Sequence, residues 1–95
     1  MLKEQETAVD LIVYFLTYFQ EKIVPKEKFY KIFFLLLISN KGLMNYEVCE
    51  MVGISLEEWN LIFTIFKHYI IRFGELYYIM SVQFHQAIYK INLEL

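Results

Sequence analysis

Gly53-Ile54-Ser55-Leu56-Glu57-Glu58-Trp59 is the stretch whose reading decides the fold. Ser55 and Glu58 have the S-x-x-E spacing of a capping box, in which the hydroxyl and the carboxylate each accept a hydrogen bond from the other residue's backbone N–H. Ile54 and Trp59 flank the box where a hydrophobic staple closes, so a helix starts here, and Gly53 ends the element before it. Beyond the box, Trp59, Ile62, Phe63, Phe66 and Ile70 keep a 3.6-residue period. That period predicts a helix from Leu56 to about Tyr69, with Glu57, Glu58 and Lys67 facing out. Before the box, Asn45 is placed to cap a small helix, Tyr46 to Val52, with Val48 and Met51 or Val52 inward.

Further from the box the pattern changes twice. Ile70-Ile71-Arg72-Phe73 and Leu76-Tyr77-Tyr78-Ile79-Met80 are β-branched and aromatic around Gly74-Glu75, which reads as a two-stranded hairpin. Ser81 then caps a last helix, Val82 to Asn92, with Phe84, Ala87, Ile88 and Ile91 on one face. On the N-terminal side, Val9, Ile12, Val13, Leu16, Phe19 and Ile23 give a first helix over Thr7 to Lys22. Pro25 interrupts it, because proline lacks an N–H and disfavours helical geometry in Val24. A second helix follows over Lys26 to Asn40, with Phe29, Ile32, Phe33, Leu36 and Leu37 inward. Ser39-Asn40-Lys41-Gly42 stops it, Gly42 being the expected left-handed cap and Lys41 suiting the last carbonyls.

A short helix, a glycine turn, a longer helix and a hairpin form the helix-turn-helix plus wing arrangement. The expected fold is mainly α: a winged helix with two preceding helices and one C-terminal helix, forming one domain over 1–95. Residues 7–41 are its N-terminal helical pair, 42–81 the helix-turn-helix and wing, and 82–95 the C-terminal helix.

Composition bounds the function. The chain has 95 residues, 58% of them apolar and 19% aromatic, against roughly 45–50% apolar in an ordinary soluble chain. Such content is incompatible with disorder, and a domain this small has limited room to bury eight Tyr, nine Phe and one Trp. The surplus aromatics Tyr14, Phe15, Tyr18, Tyr30, Phe34, Tyr77 and Tyr78 are therefore the candidate interaction surface, aromatics being enriched where proteins meet. A net charge of -2 supplies no field that draws the chain onto a polyanion. The longest unbroken apolar run, Ile32 to Ile38, falls far short of the roughly 20 residues of a spanning helix, and the polar, acidic N-terminus does not resemble a secretory signal. These features predict a soluble cytoplasmic protein that does not engage membranes.

The chemistry-bearing residues are sparse. Cys49 stands between Glu47 and Glu50, an acidic setting that raises a thiol's pKa, and reads as inert. His68 and His85 have no nucleophile partner by sequence and no zinc spacing, so both read as packing or surface residues. Lys22, Lys26, Lys28 and Lys31 gather around Pro25, but Glu21 and Glu27 interrupt them and the group reads as a solvated joint. No catalytic residue, metal site or cofactor is expected. A DNA-reading helix over Leu56 to Tyr69 would offer only Asn60, Lys67 and His68, while Glu57 and Glu58 would repel the duplex at its leading end.

Two blocks carry a family resemblance. Phe33 to Val48, with Leu35-Leu36, Ser39, Gly42-Leu43 and Glu47-Val48, and then Val52 to Trp59, with Gly53-Ile54-Ser55 and Glu58-Trp59, resemble the winged-helix region that follows the ATPase core in NACHT-type STAND NTPases of the nephrocystin-like and telomerase-protein-like group. Leu76-Tyr77 resembles that family's second wing strand, and Phe84 with Ala87-Ile88 its final helix, so the likeness runs from about Val9 to Ile91. The resemblance implies a non-enzymatic regulatory or docking module that meets a protein partner or adjacent domains of a larger chain, with a homodimer left open. It also implies a nucleotide-sensing histidine at the start of the last helix. Ser81 stands at that position, with Val82 where an aspartate would be, so the sensor is expected to be lost and no nucleotide bound. The phosphate-cradling G-x-x-x-x-G-K-[ST] motif does not occur in these residues either. The alternative expectation is a small DNA-binding winged-helix protein.

Overall fold

Pro25 adopts φ -54 and ψ 146, and its carbonyl accepts the first helical bond, from the Phe29 N–H at 3.0 Å. The amide that proline lacks is one a helix start leaves unpaired in any case. This joint separates α1 (Leu2–Phe19) from α2 (Lys26–Ile38) in the computed structural model, which describes residues 2–39 and 41–94, with side chains over 7–39 and 41–91. After α2 come β1 (Leu43–Met44), α3 (Asn45–Val52), α4 (Leu56–Phe66), β2 (Ile70–Phe73), β3 (Leu76–Ile79) and α5 (Val82–Glu94). The architecture is mainly helical with one small antiparallel sheet of order β1-β3-β2.

The capping box forms as the spacing predicts. The Glu58 N–H donates to Ser55 Oγ at 3.1 Å, and the Ser55 N–H donates to Glu58 Oε1 at 2.8 Å. Gly53 ends α3 in the left-handed region at φ 80, its N–H donating to the Cys49 carbonyl at 2.8 Å. Ser81 caps α5 by accepting from the Phe84 N–H at 3.2 Å. At α3 the predicted cap differs: Asn45 is already helical, its side chain accepts from the neighbouring Tyr46 N–H, and Glu47 Oε1 closes the start by accepting from the Met44 N–H at 2.9 Å.

Several element ends differ from the sequence reading. α1 begins at Leu2 instead of Thr7 and stops at Phe19 instead of Lys22, and residues 20–24 form turns and a bend ahead of Pro25. Lys22 makes only a tight i→i−3 bond to the Phe19 carbonyl. α2 stops at Ile38, with Ser39 as its extended cap residue. The predicted end at Asn40 lies outside the described residues. Gly42 does have a positive φ of 87, but it leads into β1 and does not cap α2. The helix predicted to reach Tyr69 ends at Phe66, and Ile70 enters the core from β2.

The sheet has one strand more than the hairpin. Leu43–Met44 pairs antiparallel with β3, Leu43 opposite Tyr77 and Met44 opposite Leu76, while β2 pairs with the other edge of β3 from Ile70 opposite Ile79 to Phe73 opposite Leu76. Alternation along these strands turns Ile70, Tyr77 and Ile79 into the core and leaves Ile71 and Phe73 exposed. The core runs through the whole molecule, with Leu16, Phe29, Ile32, Phe33, Leu36, Trp59, Ile62, Phe66 and Phe84 fully buried. No buried polar or charged residue occurs among the described residues. Val9, Ile12 and Leu16 of α1 join this core, and Lys90 of α5 bonds Asp10 of α1 at 2.8 Å on the surface above.

Candidate functional site

The structure disperses the seven aromatics of the predicted surface. Tyr14 and Tyr18 are 73% and 55% exposed and, with Leu11, form an outward stripe at i, i+3, i+7 on α1. Tyr30 and Phe34 lie on another face, lining a shallow hollow of about 280 Å³ between α2 and α5 with Ile88. The Tyr30 hydroxyl donates to Gln20 Oε1 at 2.8 Å, and burial raises its phenol pKa against an opposing hydrogen bond with Thr17.

Tyr77 corrects the prediction. It is buried, meeting Trp59 at 5.1 Å and Phe63 at 5.0 Å in edge-on contacts, because the β3 register places it on the inner face of the sheet. Phe15 is also largely a core residue, held between Phe19 at 5.0 Å and Phe66 at 4.9 Å. Tyr78, one residue from Tyr77, takes the outer face and is half-buried.

Another exposed surface is one the aromatic count does not indicate. The outward side of α3 and the start of α4 enclose an open hollow of about 520 Å³ lined by Asn45, Tyr46, Cys49, Glu50, Ile54 and Leu56. Tyr46 and Leu56 are more than half exposed at its rim, as are Met51 and Leu61 elsewhere on these two helices. Neither helix contains a Lys or Arg, whereas Glu47, Glu50, Glu57 and Glu58 all belong to them. Glu47 and Glu58 are used in the helix starts described above. Tyr46 and Glu50, one helical turn apart on α3, were the available sequence signal.

The Cys49 thiol is pushed above its ordinary pKa mainly by burial, then by the Glu58 carboxylate, not by the Glu47 and Glu50 that flank it in sequence. His68 and His85 are both exposed, and no group of three or more potential metal ligands occurs among the described residues. Two lysines of the predicted joint are engaged: Lys28 Nζ donates to the Gly53 carbonyl at 2.7 Å, and Lys22 lies 4.5 Å from the Tyr18 ring centroid. Ser81 is occupied as the α5 cap. No helix among the described residues is long and apolar enough to cross a membrane. Comparison with family models, with curated proteins and with solved structures finds no match to this chain.

Proposed function

We infer that this chain is a winged-helix module that docks proteins, of the kind associated with NACHT-type STAND NTPases, and that it is neither an enzyme nor a DNA-binding protein. The order α2, β1, α3, α4, β2, β3, with β1 and β2 on either side of β3, supports the winged-helix reading. One observation carries the functional part. In this reading α4 is the helix that would enter a DNA groove, and it exposes Leu56, Glu57, Asn60 and Leu61 with no cation along its length. Phosphate contacts need Lys or Arg, whereas exposed leucines beside carboxylates suit a protein surface. The NACHT association rests on the Gly42-Leu43 and Gly53 to Trp59 motifs, and it makes either a separate cytoplasmic protein or adjacent domains of a larger chain the partner.

The test is filter retention of duplex DNA at about 50 mM salt, where counterion release makes even weak non-specific binding visible. No retention is expected. Retention that falls steeply with added salt would establish the DNA-binding alternative instead. A denaturing blot of native extract then separates the two protein partners: a band near 11.6 kDa means docking in trans, and a band several times larger means docking within one chain.

A further inference from the structure

We propose that the hollow between α3 and α4 is a docking site for a basic amphipathic helix of a partner protein. This rests on the protein-docking reading and names the chemistry of the partner. The observations that carry it are the shape and the charge of the site together. Tyr46, Cys49, Ile54 and Leu56 give an apolar floor and rim, and about 520 Å³ is within the size of pockets that bury side chains of a ligand. Glu50 stands in the wall, and Glu57, next to Leu56 in the first turn of α4 but outside the lining itself, is the neighbouring carboxylate; both are exposed. Unlike Glu47 and Glu58, neither makes a hydrogen bond or ion pair among the described residues.

Charge complementarity selects the occupant. The four glutamates of α3 and α4 face no Lys or Arg on those helices, while the whole chain is only -2, so the negative charge is concentrated here. Lys28 of α2 donates to the Gly53 carbonyl at the C-terminal end of α3 and keeps its charge there, but it is not among the residues that line the hollow. A helix that offers leucine-type side chains at i, i+3, i+4 to the hollow and Lys or Arg on its flanks satisfies both features. An acidic or uncharged helix would meet Glu50 and Glu57 unpaired, and nucleic acid would be repelled.

The experiment uses the full chain and three labelled probes: an eighteen-residue Leu/Lys amphipathic helix, the same pattern with Glu for Lys, and a short DNA duplex. Fluorescence anisotropy reports binding, and amide shifts report its place. The Leu/Lys helix is expected to bind with shifts centred on Tyr46, Cys49, Glu50 and Leu56, and to weaken at least about tenfold in E50K/E57K. The E21K/E27K chain, with the same change in net charge away from the hollow, should bind as the parent does. Matching circular dichroism spectra establish that both variants fold. Equal weakening in the two variants, shifts centred on another face, or no binding of the Leu/Lys helix would each overturn the proposal. Binding of the Leu/Glu helix in the hollow would also overturn it while leaving protein docking intact, whereas binding of the duplex would overturn the protein-docking reading itself.

Discussion

Trp59, placed by sequence where a staple would close the α4 start, is a fully buried ring and the partner of Tyr77 on β3. Trp59→Ala is expected to cost about 3–5 kcal/mol, measured by urea unfolding. The indole Nε1 is nevertheless buried without a hydrogen-bond partner, which opposes stability by roughly 1–3 kcal/mol. Trp59→Phe removes that liability as it opens a modest cavity, so its cost should stay below about 1.5 kcal/mol. Equal losses in the two variants would contradict this division. Cys49 makes a second residue-scale prediction. Its thiol sits above the ordinary value of 9.0, so the unfolded chain loses this proton first as pH rises, and the contribution to stability is present below about pH 9 and lost above it. Alkylation of the folded protein by iodoacetamide at pH 8 should be slower than that of the urea-unfolded chain. A faster reaction in the folded state would mean that something activates the thiol.

At the scale of elements, two glycines with similar backbones should behave differently. Gly42 and Gly53 have φ of 87 and 80, where a side chain costs about 1–3 kcal/mol. A Cβ on Gly42 would also lie 3.0 Å from the Tyr77 carbonyl oxygen and 3.2 Å from Leu76 Cβ, whereas one on Gly53 would meet only Lys28 Nζ at 3.6 Å. Gly42→Ala is therefore expected to destabilise the domain more than Gly53→Ala in paired denaturant titrations, because it pushes β1 off β3. The same contrast explains what the sequence could and could not convey. The capping box, the Gly53 stop, the hairpin and the buried face of α5 are set by residues within a few positions of one another, and local pattern predicts them. β1 is two residues long, and its pairing with β3 is made across more than thirty residues of chain, so Leu43-Met44 alone carries no strand signal. The burial of Tyr77 was equally hidden: Leu76-Tyr77-Tyr78-Ile79 is apolar on both faces, and only register and the approach of Trp59 decide which ring turns in.

For the whole molecule, one aromatic ring joins the N-terminal pair to α4. Phe66 meets Phe15, Phe19, Phe29 and Phe33 at centroid distances from 4.9 to 6.0 Å, so α1 and α2 are part of the same core as the α3–α4 unit. Phe66→Ala should cost about 3–5 kcal/mol and lower the stability of α1, α2 and α4 together, seen as a common loss of amide-exchange protection in all three. Loss confined to α4 would mean that the N-terminal pair is a separate unit. What this core leaves outside is equally defining. Part of the aromatic surplus forms an α1 stripe, with Lys22 beside Tyr18, and an α2/α5 hollow that includes Lys31, while the separate acidic, apolar hollow of α3 and α4 has no Lys or Arg in its lining. The measurement that bears most directly on protein docking is gel filtration of native extract, with and without nuclease, followed by detection of this chain. The account predicts elution in an assembly well above 11.6 kDa that nuclease leaves unchanged. Elution at 11.6 kDa throughout, or a large assembly that collapses on nuclease treatment, would contradict it.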